Sequence, residues 1–467
     1  MASSTVSLAI MLVIGLLVGA GVTYAAVASS SPSSGKSTTV TSTVTAGGGG
    51  STVTVGGSTV TAAGSTTTVG GSTVTVTSPG GGGSGPKVYY IGNINDITGP
   101  LSNYGASFIL AAQLAINQIN AQMNASGNGI QFKLATADSQ GTAQGALQAL
   151  QNLYQTYKIQ VDVGPISSGE LAGLLSYANT NHILVIGPTS NANSLSIPND
   201  YLVRPDSIPA TYEAQSIDQL ALHDGFKNLV VVWRDDTFGS GFYNATQQYA
   251  GGMKITGISY APGQSDYAGT VSAASSAVSS VLSSGKTGVL WISFTTEAQN
   301  MFTHAASDPT LSSVSWFGID DLFAPAMLPP TVPTVVGQVE QKSNFTVSSD
   351  YIISNPTTQS FFTAYKQAYN QDPISYAETF YDGVWLAALD ILYSGVNNGT
   401  VLLHNINQVA DHYVGVDGQT YLDANGDQAL GYFGFDQVIT NSTGGYAFSN
   451  IGYFDGSTQQ IHLNATG

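Results

Sequence analysis

Cysteine is absent from the 467-residue sequence, which excludes disulfides, thiolate chemistry, Cys-ligated zinc and a lipid-modified cysteine. Charge is scarce too: 8% of residues are charged, against roughly 25% in ordinary soluble proteins. The polar surface must therefore be built from Ser, Thr, Asn, Gln and Tyr. Only 11 residues are Lys or Arg against 28 Asp or Glu, a formal charge of -17, and no basic run exists. That argues against a nucleic-acid partner, which needs a Lys/Arg footprint. The histidines (His182, His223, His304, His404, His412, His462) are scattered without metal-ligand spacing. No Gly-x-Ser-x-Gly, His-Glu-x-x-His or P-loop sequence occurs, so nothing marks an enzyme, a metal site or a cofactor. An acidic, charge-poor surface suits an acidic exterior, where carboxylates partly protonate.

What is present begins with an apolar run. Residues 6–27 are apolar apart from Ser7, Thr23 and Tyr24, about the length that crosses a bilayer as a helix. The first basic side chain is Lys36, whereas a secretory signal usually starts basic and has a shorter core. Residues 1–28 read as a membrane anchor, with a cleaved signal (near Ala25-Ala26-Val27-Ala28) the alternative; both export the rest of the chain. Residues 29–86 are Ser/Thr/Gly/Val-rich, with Gly-Gly-Ser-Thr-Val-Thr repeated at Gly49, Gly56 and Gly70. The alternating Thr and Val could form isolated strands. With no aromatic or Leu to bury, the segment is expected to be a disordered, solvated stalk suited to O-glycosylation.

From Lys87 the apolar pattern alternates between strand and helix periods. Strands are predicted at 88–94, 132–137, 161–164 and 183–186, with helices between them. After Arg204 the rhythm restarts, with strands at 229–233, 253–258, 289–292 and 315–317. Helices are predicted at 360–369 and 376–393, then short strands and Gly turns beyond Gly415. Two such runs imply an α/β fold of two doubly wound, Rossmann-like lobes. Asn-x-Ser/Thr triplets at Asn124, Asn244, Asn344, Asn398, Asn441 and Asn464 are N-glycosylation candidates in an exported chain.

Three strand-to-helix junctions stand out: Thr98-Gly99-Pro100 with Tyr104-Gly105, Gly164-Pro165-Ile166-Ser167-Ser168-Gly169, and Gly187-Pro188-Thr189-Ser190-Asn191. Ligands sit beyond the carboxyl ends of strands in open α/β sheets, and hydroxyls with free N–H groups at a helix start suit an anion. Together with Asp138-Ser139-Gln140-Gly141, Arg204, Asp235-Asp236-Thr237-Phe238-Gly239, Tyr260-Ala261-Pro262-Gly263 and Phe317-Gly318-Ile319-Asp320, in this order and spacing, the chain resembles a known family. It is similar to type I solute-binding proteins of ABC importers, in particular the branched-chain amino acid (Leu/Ile/Val) group.

The resemblance implies two lobes joined by three crossings, lobe 1 holding 87–206 plus 352–412 and lobe 2 holding 207–351 plus 413–467. It implies that a ligand carboxylate meets Ser167 or Ser168 and the N–H groups beside them. The ammonium would meet the Thr189 carbonyl, the Asn191 side chain and Asp320. Tyr104, Phe238, and Trp291 or Phe294 would wall the side-chain pocket, with Tyr376 a further candidate. The family usually has Thr where Asn191 stands, Tyr at Phe238 and often Glu at Asp320. Each residue also has a plainer reading: a helix N-cap for Ser167 and Ser168, turns for Asn191 and Asp320, core for Tyr104 and Trp291. Arg204 reads as an inter-element ion pair. Asp423, Asn425 and Asp427 resemble a calcium loop but lack the Glu at position twelve, so a turn is expected. The implied function is a receptor that hands an apolar amino acid to an ABC permease. Binding of an amide, urea or aromatic acid, a ligand sensor and a structural surface protein are the alternatives.

Overall fold

The computed structural model describes residues 86–350, 354–429 and 431–464, and five short strands between residues 40 and 75. The apolar run at 6–27 lies outside the described residues; among those described, no helix is long and apolar enough to cross a membrane. The stretch expected as a disordered stalk carries β1 (Val40–Thr41), β2 (Ser51–Val55), β3 (Ser58–Ala62), β4 (Thr66–Val69) and β5 (Ser72–Thr75). Antiparallel pairing joins β1, β2 and β3, and separately β4 and β5. β-branched Thr and Val favour extended backbone, and the pairing sets Val55 opposite Ser58 and Val69 opposite Ser72.

Lobe 1 starts with β6 (Lys87–Asn95), α1 (Ser102–Ser126), β7 (Ile130–Asp138), α2 (Ala143–Tyr157), β8 (Val161–Val163), α3 (Ser168–Asn181), β9 (Leu184–Ile186) and β10 (Leu202–Val203). Its five strands are all parallel, in the spatial order β7-β6-β8-β9-β10. Val161, Val163 and Leu184 to Ile186 are fully buried, as expected of strands covered on both faces.

Lobe 2 repeats the winding. Its elements are α4 (Ala210–His223), β11 (Asn228–Arg234), α5 (Thr237–Tyr249), β12 (Lys254–Tyr260), α6 (Ala268–Val281), β13 (Thr287–Ile292), α7 (Thr295–Ala305), β14 (Ser315–Gly318), α8 (Thr334–Lys342) and β15 (Thr346–Asp350). The order β12-β11-β13-β14-β15 is again parallel. Helix α4 has no counterpart in the sequence reading. Glu213, Gln215, Ser216 and Asp218 are buried among Ala214, Ile217 and Ala221, and these polar residues hide the apolar stripe.

The chain then returns to lobe 1 with α9 (Pro356–Tyr369), α10 (Ala377–Ser394) and α11 (Gly399–Ala410). Phe380 of α10 stacks on Phe108 of α1 at 4.6 Å, and Tyr365 of α9 bonds Ser107 Oγ at 2.8 Å. Finally β16 (Tyr432–Thr440), β17 (Tyr446–Asp455) and β18 (Gln460–Leu463) extend the lobe 2 sheet antiparallel from β15.

One boundary differs from expectation. Residues 413–429, expected in lobe 2, are tied to lobe 1. Asp382 of α10 accepts from Tyr413 Oη and Val416 N, each at 2.6 Å, and Asp427 pairs with Arg204 at 2.6 Å. Buried carboxylates need such donors, and here the donors come from this loop. The third crossing therefore falls near residue 431.

Candidate functional site

A strand order of 2-1-3-4-5 reverses direction between its first and third strands, and loops diverge there to leave a crevice. The reversal lies between β6 and β8 in lobe 1 and between β11 and β13 in lobe 2. From these strand ends the chain delivers Tyr104 and Ser167–Ser168 on one side, and Phe238 and Phe294 on the other. The neighbouring ends of β9 and β14 add Thr189, Asn191, Asp320 and Asp321. Together with Leu101, Phe108, Ile166 and Tyr376 these residues line one cavity of roughly 510 Å³, counting its open mouth. Gly164 makes the lobe 1 turn possible: its φ is 130°, and a Cβ there would lie 2.1 Å from the Ile94 carbonyl oxygen.

Ser167 and Ser168 have different tasks. Ser167 caps α3: its Oγ donates to Glu170 Oε2 at 2.6 Å and its N–H donates to the same oxygen at 2.9 Å, a capping box. Ser168 Oγ accepts from Ser190 Oγ at 2.9 Å, which leaves the Ser168 hydroxyl proton for another acceptor. The N–H groups of Ser168 and Gly169, in the first turn, have no intrahelical acceptor. Behind the cap, burial and then the neighbouring Glu170 push Asp96 up to about 8.

Asn191 is 7% exposed, and its Oδ1 has no hydrogen-bond partner among the described residues. Whichever way the amide is turned, one polar end is left for a ligand. The loop that carries it is fixed from behind by Arg204, which is fully buried. Arg204 donates to the carbonyls of Ser190 (3.0 Å) and Ala192 (2.9 Å) while paired with Asp427. The ion-pair reading of Arg204 thus stands, and the pair positions the cleft. Thr189 Oγ1 donates to the Ile166 carbonyl at 2.6 Å, coupling this loop to the one before α3.

From lobe 2, Asp320 reaches across to lobe 1: Tyr376 Oη donates to its Oδ2 at 2.6 Å, and Asp321 N donates to its Oδ1 at 2.7 Å. Tyr104 Oη spans the same gap to Thr295 Oγ1 at 2.9 Å. The lobes are closed on each other. Glu213 Oε1 accepts from Asp320 N at 2.8 Å and from the Ser348 hydroxyl. Burial, and then repulsion from Asp320, raise both Glu213 and Asp321 well above the usual carboxylate range; burial also raises Asp320. Phe238 and Phe294 stack at 5.3 Å, and the Arg234 guanidinium lies 3.7 Å from the Phe294 ring centre. Arg234 is itself held by Asp236 at 2.6 Å and Glu297 at 2.9 Å.

Trp291 is a correction. It is fully buried and packs edge-on against Phe302 and Trp316, with ring centres 5.3 and 5.6 Å away. It stands within β13, where both faces are covered, whereas Phe294 follows the strand end and faces the cleft. Asp423 Oδ1 accepts from Asn425 N and Asp427 N, so that loop is a side-chain-capped turn. Among the glycosylation candidates Asn124, Asn244, Asn344, Asn398 and Asn464 are exposed, while Asn441 is half-buried. Sequence reasoning missed Leu101, Phe108, Ile166, Asp321 and Glu213. Asp321 was legible as the second half of the Asp320-Asp321 pair. Glu213 was not, since nothing local links it to a strand end 107 residues later.

A family model described as "Periplasmic binding protein" matches residues 88–396. An uncharacterized protein of Methanocaldococcus jannaschii is 24% identical over 404 residues, 81% of this chain and 93% of the relative. Among solved structures, the branched-chain amino acid transporter substrate-binding protein LivJ of Streptococcus pneumoniae, in complex with isoleucine, is 21% identical. The match covers 78% of this chain and 100% of that one, with a TM-score of 0.61. A solute-binding protein of an ABC transporter from Rhodopseudomonas palustris, in complex with 3,4-dihydroxybenzoic acid, is 16% identical. It covers 79% and 98% of the two chains with a TM-score of 0.62. At these identities the solved structures share the fold.

Proposed function

The chain belongs to the periplasmic binding protein family, which groups solute-binding proteins rather than enzymes, and on that premise we propose that it captures a small amino-acid-like solute with an apolar tail. A branched-chain or similar apolar amino acid sets the size. The solute would then pass to an ABC permease at the extracellular face of the membrane, the chain being tethered or released according to the fate of residues 1–28. One observation carries this reading. Within one aromatic-walled cavity between the lobes lie neutral donors at the start of α3, the Asn191 amide oxygen with no partner among the described residues, and carboxyls at Asp320 and Asp321. Ser168 and the N–H groups beside it would take the solute's oxygen end. Asn191, the Thr189 carbonyl and Asp320 would take its amine, and Tyr104, Phe108, Phe238, Phe294 and Tyr376 its tail. Because each lobe supplies only part of this set, binding and closure are coupled. An aromatic acid fits less well: it has no amine for Asp320 and Asp321, and among the described residues no Lys, Arg or His lines the cavity.

Thermal shift against a panel of amino acids and their amides tests the proposal. A melting midpoint that rises with concentration for apolar members supports it. A flat response to the whole panel overturns it and favours a structural surface role. Permease and ATPase genes beside this one would separate an importer from a sensor built on the same cleft.

A further inference from the structure

Two phenyl rings, carried by two different helices, form the lobe 2 wall of the cavity. Phe238 lies in the first turn of α5, and Phe294 immediately precedes α7. These helices follow β11 and β13, the strands on either side of the lobe 2 order reversal, where the connections diverge. The rings stack at 5.3 Å, and both line the cavity. Diverging connections leave the gap between the two helix starts to be set by side chains.

Arg234, the last residue of β11, bridges that gap from behind the wall. Its Nε donates to Asp236 Oδ2 at 2.6 Å, and Asp236 caps α5 by accepting from Gly239 N. A Cβ on Gly239 would lie 2.1 Å from the Arg234 carbonyl oxygen, so the first turn of α5 sits directly against this residue. On its other side, Nη1 donates at 2.9 Å to Glu297 Oε2, in the first turn of α7. Glu297 is held in turn by Tyr260 Oη at 2.8 Å and by Gly263 N at 3.2 Å. Two held edges fix the guanidinium plane, and that plane lies 3.7 Å from the Phe294 ring centre. Only arginine bonds through its edge while stacking through its face; an ammonium is a point charge on a flexible stem.

Resting on the solute-binding reading above, we infer that Arg234 is a positioning residue for specificity: it seats Phe294 against Phe238 and so sets the depth of the pocket for the solute's apolar tail. Discrimination by tail size then depends on the guanidinium plane and not on its charge alone. The charge also reaches Asp321, where burial and Asp320 raise the carboxyl and Arg234 opposes them. A lysine at this position keeps the charge, loses the plane and separates the two effects.

Isothermal titration calorimetry on the full chain, with L-valine, L-leucine and L-phenylalanine as probes, tests this. Arg234→Lys should flatten the spread between the best and the worst of the three by about tenfold. A role in stability alone would weaken all three equally. In a Phe294→Leu background no ring remains to be seated, so Arg234→Lys should leave the ratios within about twofold. If Arg234→Lys fails to fold, Glu297→Gln decides, because it loosens one edge of the guanidinium and should move the ratios in the same direction. A wild type that binds the three alike, or ratios that the substitution leaves unchanged, overturns the inference and leaves the solute-binding reading standing. A change of ratio that persists without the Phe294 ring also overturns it and assigns the effect to Asp321. Binding of none of the three by the wild type, with an unmoved melting midpoint, overturns both.

Discussion

Lobe 1 and lobe 2 are wound in the same strand order, yet they bring opposite chemistry to the cleft between them. Lobe 1 contributes hydroxyls, backbone N–H groups and an amide from the ends of β8 and β9, together with Tyr104 and Tyr376. Lobe 2 contributes carboxyls from the end of β14 and the stacked rings of Phe238 and Phe294. A shared topology fixes where side chains converge, because strand ends and the order reversal are backbone properties. It does not fix what converges. The division teaches that neither half holds the whole cavity lining, so closure of the lobes assembles it. The hydrogen bonds of Tyr104 to Thr295 and of Tyr376 to Asp320 mark the seam that closure forms.

The largest effect should ignore this division. Burial pushes Asp162 and Asp390 in lobe 1, and Asp218 and Glu340 in lobe 2, up to about 8. Among the described residues none of the four pairs with a cation, and Asp218 and Glu340 leave both carboxyl oxygens unbonded. These groups stay protonated in the fold and ionise near 4 once unfolded. Their stabilisation is therefore full below about pH 4 and lost as pH rises through about 8. The melting midpoint should fall by on the order of 10 °C between pH 4 and pH 8, followed by circular dichroism. With raised carboxyls in both lobes, the lobes should melt together. Separate transitions would break that symmetry.

Next in size is Trp291→Ala, which opens a cavity in the lobe 2 core and should cost about 3–5 kcal/mol in denaturant unfolding. The ranking of solutes should be unchanged. Phe294→Ala, three residues on, should do the reverse, weakening binding by about tenfold with a smaller loss of stability. If Trp291→Ala alters selectivity, the boundary between core and cleft does not lie at the end of β13.

Smaller effects sharpen the contrast between the lobes. Asp320→Asn in lobe 2 should weaken the apolar amino acid that binds best about hundredfold, since it removes the carboxylate proposed to meet the solute's amine. Ser168→Ala in lobe 1 removes one neutral donor and should cost about tenfold. Ser167→Ala should leave affinity within about twofold while destabilising the fold by about 1 kcal/mol, the loss of an N-cap. Titration calorimetry and urea unfolding on the same three variants separate these outcomes. Equal losses for Ser167 and Ser168 would contradict the split between cap and ligand contact.

Much of this was legible in the residues. Alternating strand and helix periods predicted both lobes, because apolar periodicity reports which face of each element is buried. The Gly-Pro and Ser-rich junctions marked strand ends, and nine of the ten candidate site residues line one cavity. Trp291 failed because a sequence cannot distinguish the last covered residue of a strand from the first one past its end. Helix α4 was missed because polar side chains occupy its buried face, and their partners lie far along the chain.

By itself the sequence determined the class of protein: a cysteine-free, acidic, two-lobed α/β chain whose helix starts and turns mark the edges of a crevice. Those features depend on neighbours a few residues apart, where propensity, capping and periodicity act. The charge of the crevice was decided only in three dimensions. Glu170 turns inward on its own helix, Glu213 reaches Asp320, and both arginines are drawn off by other carboxylates. Electrostatic balance depends on distances between groups that lie far apart along the chain, 107 residues for Glu213 and Asp320 and 223 for Arg204 and Asp427, and folding alone sets those distances.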